Sequence, residues 1–419
     1  MPHYLGRVAD QTVRDALDTF GAVVIEGPRA VGKTTLGQHL AASSVRLDST
    51  PQLADVAEVS PEVVLDGPAP RLIDEWQLAP ALWNAVRREV DQRGAAGQFI
   101  LTGSATPADD VTRHSGAGRF RRVALRPMSL AESGESLGVV SLGSLFSDDP
   151  TVAGHGGPTV ADYARLIVRG GWPALVRQPT RSAGNYLSAY LDDIARVDLP
   201  GSGLAVDPGR MQALIRALAR NVSTEAAATR LAEEASLMDE VRTTSPQTVR
   251  RHLDALARVF VLEELPAWSP HLRSRVRLRV NPTWHFIDPS LACAALGADA
   301  DRLLDDLETL GLMFESLCVR DLRVYSHAAD GSVFHYRDGS GLEVDAIVEL
   351  RDGRWAAFEV KLGGDRPIDQ AAANLRKLRG KVADSVAGRL CSLNVLTAGP
   401  TSYTRPDGVN VVSVGHLAP

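Results

Sequence analysis

The stretch Gly27-Pro28-Arg29-Ala30-Val31-Gly32-Lys33-Thr34 reads G-x-x-x-x-G-K-T, and that spacing leaves the chain around it little choice of fold. Before it, Gly21-Ala22-Val23-Val24-Ile25-Glu26 is short, apolar and β-branched, as a buried strand should be. After it, Thr35 to Ala42 has helical character, with Leu36 and Leu40 on one side. A glycine-rich turn between strand and helix is a phosphate cradle. Gly27 and Gly32 let the backbone wrap an anion, and the exposed N–H groups and the helix N-terminus supply positive potential. In such a cradle Lys33 reaches the β- and γ-phosphates, the Thr34 hydroxyl ligates Mg²⁺, and Thr35 ends the nucleotide contact. ATP and Mg²⁺ are the expected cofactors.

With 419 residues the chain has room for two or three domains. A hydrophobic share of 44% and a charged share of 23% are those of a globular protein, and a net charge of −6 argues against a generic polyanion binder. Any nucleic-acid surface must then be local. Cys293, Cys318 and Cys391 have no zinc-ligand spacing and cannot all pair, which points to a reducing, cytoplasmic home. Met1 to Asp10 lacks an apolar signal core, and no run of 18 apolar residues occurs, so neither export nor a membrane span is expected.

Residues 7–20 carry Arg7, Val8, Val13, Ala16, Leu17 and Phe20 at the spacing of an amphipathic helix. The acidic partner of the phosphate loop is expected at Arg71-Leu72-Ile73-Asp74-Glu75-Trp76-Gln77, a strand ending in acid. There Asp74 would hold Mg²⁺ through water, and Glu75 would orient or deprotonate the attacking water. Phe99-Ile100-Leu101-Thr102-Gly103-Ser104 is another buried strand, and Thr102 or Ser104 stands where a γ-phosphate sensor belongs. In Gly118-Arg119-Phe120-Arg121-Arg122, Arg119 and then Arg122 are candidates for an arginine offered to a neighbouring subunit's γ-phosphate. The plainer alternative is a solvated basic strand.

These runs, together with Arg126-Pro127-Met128-Ser129-Leu130-Ala131-Glu132, resemble a bacterial and archaeal group of AAA-type ATPases. Members of that group carry a C-terminal domain of unassigned function with a restriction-endonuclease-like core. The resemblance covers nearly the whole chain. It implies a P-loop core of the ASCE type, an α/β fold, and a nucleotide near a subunit boundary, hence a homo-oligomer. It implies no particular substrate.

Residues 133–160, rich in Gly, Ser and Asp, read as a mobile surface loop. Val168-Arg169-Gly170-Gly171-Trp172-Pro173 and Tyr190 to Asp198 resemble further signatures of the group and read as lid-like helices on the ATPase or, residue by residue, as core and turn positions. From 209 to 265 the pattern is three helices, with Ser245 capping and Pro246 opening the third. Arg250 and Arg251 lie in its first turns. Arg273, Arg275, Arg277 and Arg279 then fall at period two, on one face of a strand. Helices followed by a basic hairpin suggest a winged helix-turn-helix. Residues 250–280 hold seven arginines against Asp254, Glu263 and Glu264, so DNA phosphates are one partner for this face and a docking domain is the other. Where the group usually has a lysine, this chain has Asn281-Pro282-Thr283.

Phe286-Ile287-Asp288-Pro289-Ser290-Leu291-Ala292 resembles the group's entry to the last domain. A helix with Glu315 follows, then a strand with Asp345, then Glu359-Val360-Lys361 on the next strand, the layout of PD-(D/E)XK nucleases. Strand alternation points Glu359 and Lys361 the same way. Asp345 and Glu359 would share Mg²⁺, Glu315 could complete the site, and Lys361 would polarise water or phosphate. Gln370 and Asn374, four apart on the next helix, could face it.

The expected plan is an α/β protein in three parts: an ATPase at 1–160, a helical and winged-helix middle at 161–285, and a nuclease-like domain at 286–419. Its expected work is ATP hydrolysis coupled to DNA, with a Mg²⁺-dependent nuclease site. The alternatives are an ATP-switched DNA-binding protein with a silent nuclease fold, or an ATPase acting on a protein partner.

Overall fold

A computed structural model describes residues 4–104, 116–201, 207–238, 244–270 and 282–419. The chain forms two compact units. The first comprises Met1–Arg126 with Asp198–Leu204 and Ala255–Val261; the second holds the rest.

Alternation along short apolar strands builds the first unit. Its sheet is parallel throughout: β1 (Ala22–Glu26), β2 (Ser43–Arg46), β3 (Arg71–Asp74), β4 (Phe99–Gly103) and β5 (Phe120–Ala124), in the order β2-β3-β4-β1-β5. Val23 and Ile25 turn to one face, where they meet Val13, Leu17 and Leu36 of helices Ala9–Thr19 and Lys33–Leu40. Ala22 and Val24 turn to the other, against Leu82, Trp83, Val86 and Val90 of helix Ala81–Arg93. Both faces of β1 and β4 are covered, which is why those two strands carry no polar residue until their C-terminal ends. β4 lies between the phosphate-loop strand β1 and the acidic strand β3, so Thr102 stands beside Asp74.

The second unit is built around one mixed sheet. β10 (Gly331–Arg337), β11 (Glu343–Leu350) and β12 (Trp355–Lys361) run antiparallel in sequence order. β13 (Leu390–Thr397) and β15 (Asn410–Ser413) continue it in parallel, then β14 (Thr401–Thr404) and β7 (Gly154–His155) antiparallel. Ile347, Trp355 and Ala357 face Ala371, Ala372 and Leu375 of helix Asp365–Lys381. Helix Leu307–Ala328 carries the next layer, with Leu310, Phe314, Leu317 and Leu322 buried.

Residues 133–160 differ from the mobile loop expected of them. β6 (Val140–Ser141) pairs in parallel with the final strand β16 (Leu417–Ala418), and β7 completes the sheet edge. The Ser136 hydroxyl donates to the carbonyls of Gly415 at 3.1 Å and Leu417 at 2.7 Å. Buried His416 bridges Ser402 and the Gly156 carbonyl. Glycine and serine content signals a loop when read locally, but here the backbone groups find partners far along the chain. The segment expected to end the ATPase part therefore lies in the second unit from Pro127 on.

The middle helices are Pro208–Arg220, Ala228–Met238 and Pro246–Arg258, and Ser245 accepts from the Thr248 N–H at 3.1 Å, as a cap should. A hairpin of β8 (Leu262–Leu265) and β9 (Thr283–Phe286) follows. Arg250 and Arg251 are exposed on the third helix. Arg273, Arg275, Arg277 and Arg279 lie outside the described residues.

The motifs Gly170-Gly171-Trp172 and Asp288-Pro289-Ser290 do not present themselves to solvent. They meet in a buried polar knot. Arg320 donates to Asp288 at 2.8 Å and to Asp321 at 2.6 Å, and its side chain is 3% exposed. Asp288 also accepts from the N–H groups of Gly171 and Ser290, and Asp321 from that of Leu130. Trp172 Nε1 donates to Ser290 Oγ at 3.2 Å. Gly171 admits this approach because a Cβ there would run into the Met128 carbonyl. Removing one partner of such a pair strands a buried charge. Arg320→Ala should therefore lower stability by about 3–5 kcal/mol. Arg320→Lys should also lose stability, because an ammonium cannot reproduce the fork. The midpoint of urea unfolding checks both, and an unchanged midpoint for Arg320→Ala would mean the knot contributes nothing.

Candidate functional sites

In the first unit the phosphate loop joins β1 to helix Lys33–Leu40. Gly27 passes so close to the Leu125 carbonyl that a Cβ could not fit. Val31 is fully buried, and its carbonyl accepts from Arg7 Nη1 at 3.0 Å, which anchors the loop on the segment just before the first helix. Ala30 has φ near 60°, so the loop turns through a left-handed residue at its centre. Lys33 Nζ donates to the carbonyls of Gly27 at 2.9 Å and Pro28 at 2.7 Å. Burial pushes its pKa down to about 8, while Glu75 and Asp74 pull it back up. Arg29 projects outward and pairs with Asp198 at 2.7 Å. Thr35 lies one residue into the first turn of the helix, beside Thr34.

Asp74, 1% exposed, divides its two oxygens between different partners. Oδ1 accepts from Thr34 Oγ1 at 2.8 Å and from Thr102 Oγ1; Oδ2 faces Arg46 Nε at 3.5 Å. Glu75 sits at φ 58°, a left-handed turn that aims its side chain away from the strand. Its carboxylate accepts from Gln77 Nε2 and, at 3.4 Å, from Ser104 Oγ. Of the two sensor candidates, Thr102 is thus on Asp74 and Ser104 on Glu75. The residues fit a hydrated Mg²⁺, since a hydroxyl and a carboxylate oxygen converge at the mouth of the loop.

Arg119 stands away from its own chain's phosphate loop, whereas Arg122 reaches Glu26, where the loop leaves β1. The Arg119 carbonyl accepts from Ala22 N, at the start of β1, whereas the phosphate loop leaves from its end at Glu26. Five residues of strand, roughly 16 Å, separate the two. Arg119 pairs with Asp91 at 2.9 Å. Arg122 pairs with Glu26 and lies over the Trp83 ring. Arg46 and Gln77, not singled out from sequence, touch the acidic pair instead. Ser-Ser-Val-Arg has one apolar residue, too little pattern to announce the strand that carries Arg46.

In the second unit Ala346 pairs with Phe358, which brings Asp345 level with Glu359 one step on. Both share a face with Lys361. Lys361 Nζ lies 2.9 Å from Glu359 and 3.4 Å from Asp345, and Asp345 also accepts from Val360 N at 2.7 Å. Burial and then Asp345 push Glu359 up to about 7, against the pull of Lys361 and a hydrogen bond from Asn374. Burial alone would lower Lys361, but Asp345 and Glu359 hold it above the usual lysine range. Burial and Asp345 together hold Glu315 well above the carboxylate range.

Two openings flank Asp345. One, of about 560 Å³, is walled by Asp345, Glu359, Lys361, Asn374, Lys377 and Lys381. The other, of about 270 Å³, includes Glu315, Asp345, Arg337 and Glu225 in its wall. Among the described residues no three His, Cys, Asp or Glu side chains are gathered to hold a metal ion. Glu315 lines the second opening with Asp345 and feels the charges of Asp345, Lys361 and Glu359, while Asp345 and Glu359 close on Lys361. Gln370 is exposed and reaches Asn374 at 3.1 Å, so only Asn374 of that pair contacts the acidic centre. No helix among the described residues is long and apolar enough to cross a membrane.

Residues 19–134 match a family described as an AAA domain, residues 160–302 a domain of unknown function (DUF8612), and residues 310–417 another (DUF4143). Uncharacterized proteins of Mycobacterium tuberculosis and Mycobacterium bovis are each 26% identical over 389 residues, 92% of this chain and 78% of theirs. Among solved structures, a Walker-type ATPase of Pyrococcus abyssi is similar at a TM-score of 0.41 and 12% identity, over 69% of this chain and 94% of that one. The Aeropyrum pernix ORC1 protein, solved in complex with DNA, is similar at a TM-score of 0.27 and 11% identity, over 73% and 97%. The matched AAA domain and the phosphate-loop geometry together support an AAA-type ATPase in the first unit.

Proposed function

We propose that the chain is an ATP-hydrolysing enzyme whose nucleotide cycle acts on DNA. The observation that carries the hydrolytic part is the convergence of Thr34, Asp74 and Thr102, with Glu75 held beside them by Gln77. Lys33 would exchange its two carbonyl contacts for phosphate oxygens, and a phosphate would return the lysine's charge to favour. Glu75 would take the proton of the attacking water. A magnesium ion held by Thr34 and, through water, Asp74 would supply charge neutralisation on the outer phosphates. Glu75→Gln should bind ATP as the wild type does and lower kcat by about 10²-fold or more. Lys33→Ala should lose affinity as well as turnover. Nucleotide titration and steady-state phosphate release read the two separately, and normal turnover by Glu75→Gln would move the base elsewhere.

For DNA, the support is the exposed Arg250 and Arg251 near the start of the third helix and the lysine-lined cleft beside Asp345. ATPase stimulation by single- or double-stranded DNA should fade as salt rises, since phosphate contacts release counterions. Stimulation independent of salt, or none, would favour a protein partner.

The Asp345–Glu359–Lys361 centre admits two readings. As a nuclease, Asp345 and Glu359 would hold a divalent ion and Lys361 would assist the nucleophile. The contact of Lys361 with both carboxylates favours a silent fold that retains DNA or a partner. The electrostatics supply a test that does not need cleavage. Glu359 is raised above its unfolded value of 4.5, so its contribution to stability is present below about pH 4.5 and is lost as pH rises through about 7. In metal-free buffer the melting temperature should fall across that window, and Glu359→Gln should flatten the fall. Mg²⁺ or Mn²⁺ at pH 8 should raise the melting temperature of the wild type but not of Asp345→Ala. If it does, strand cleavage lost in Asp345→Ala and Lys361→Ala decides for the nuclease; if metal changes neither stability nor DNA, the silent reading stands.

A further inference from the structure

The phosphate loop, Asp74, Glu75 and Thr102 account for binding phosphate, metal and water. They do not account for the charge that builds on the γ-phosphate as it leaves. P-loop enzymes meet that charge with an arginine. Arg119 and Arg122 are engaged by Asp91 and Glu26, and Arg29 by Asp198.

Arg46 ends β2, the strand next to β3, and its backbone is in register with Asp74. Every strand of this sheet is parallel, so Arg46, Asp74 and Thr102 all emerge at the C-terminal edge, on the side where the phosphate loop leaves β1. The two oxygens of Asp74 sort their partners. Oδ1 meets the Thr34 and Thr102 hydroxyls, toward the loop; Oδ2 meets Arg46, on the far side. The other arm of the guanidinium rests on Asp48 at 3.1 Å. The side chain is 51% exposed, so it can turn without unpacking a core.

We propose that Arg46 is a charge-stabilising arginine of the chain's own site, serving the γ-phosphate in cis. This rests on the hydrolytic reading above. With a divalent ion held by Thr34 and Asp74, the Arg46 guanidinium, 3.5 Å from Asp74, would be released from that contact. Its fork would then be free to donate to the oxygens of the γ-phosphoryl group. The bond from water oxygen to phosphorus forms, the bond from phosphorus to the β,γ-bridging oxygen breaks, and the water's proton passes to Glu75. Arg46 forms no bond and moves no proton. Its planar donors match an oxyanion whose charge spreads over three oxygens. A neighbouring subunit need not lend an arginine for turnover.

The test uses the full chain. Arg46→Ala should lower kcat by about 10²-fold or more while the ATP dissociation constant stays within about 3-fold of wild type. Arg46→Lys should recover only part of the loss. Binding of Mg²⁺-ADP with aluminium fluoride, which mimics the transition state, should be lost in Arg46→Ala while Mg²⁺-ADP alone still binds. Mixing Arg46→Ala with Lys33→Ala chains should restore nothing. Thermal melting guards against misfolding, and the exposure of the side chain predicts no change there. Turnover within 3-fold of wild type, or retained aluminium fluoride binding, would overturn the role. Recovery on mixing would overturn the cis assignment. A wild type that hydrolyses no ATP would overturn the hydrolytic reading, and Arg46 with it.

Discussion

One guanidinium governs the second unit. Arg320 lies between Asp288 and Asp321, and those carboxylates accept from the backbone at Leu130, Gly171 and Ser290. Four stretches distant in sequence thus share one charge centre: the segment after Pro127, the turn after helix Val160–Arg169, the start of helix Pro289–Leu296, and helix Leu307–Ala328 itself. Desolvation pulls against the charge of Arg320, but its two carboxylates outweigh it and hold it above the ordinary range. A buried ion pair is weak evidence for stability, because desolvation opposes the Coulomb gain. Its stronger consequence is specificity. An apolar contact tolerates sliding by a fraction of a side chain, whereas these hydrogen bonds admit one register of the four segments.

Two acidic centres meet their charge by different means. Asp74 relies on two hydroxyls, with Arg46 on its outer oxygen. Those hydroxyls add no charge; the positive charge near Asp74 comes from Arg46, 3.5 Å from its outer oxygen, and from Lys33. Asp345 and Glu359 have an ammonium between them, which answers part of their charge directly. A metal at Asp74 would displace only the Arg46 contact at 3.5 Å, whereas one at the second centre would displace an ammonium that holds both carboxylates. That difference in grip is what separates the two centres.

The strands were legible where burial on both faces demanded apolar runs, as in Ala22–Glu26, Phe99–Gly103 and Trp355–Lys361. The acids of both centres were legible for the same reason: a charged residue at the end of an apolar strand has few structural uses. What local pattern could not carry was partnership. Gly170-Gly171-Trp172 reads as turn or lid until Asp288 is seen against it, and residues 133–160 read as a loop until β16 is seen beside β6. Arg46 was hidden because an edge strand with one apolar residue leaves no period to detect.

The remaining question at the second centre is why a chain would keep its charge arrangement. Holding two adjacent strands needs no ions; valine or leucine at 345, 359 and 361 would fill similar volume without desolvating carboxylates. Glu359 is 3% exposed and pushed up to about 7, so near neutral pH its ionisation is a cost the fold carries. Lysines 377 and 381 stand along the same cleft, although Lys381 is committed to Asp338 at 2.6 Å. Lys377 is exposed and lies three residues beyond Asn374 on the same helix, so a polyanion entering the cleft would meet Lys377 before it met Glu359. An approaching phosphate would then draw Lys361 off its carboxylates, and the two acids would regain the demand for a cation that Lys361 had answered. On that argument a phosphate in the cleft would tighten metal binding there, which sets a cooperative nuclease apart from a silent clamp, where phosphate alone would suffice.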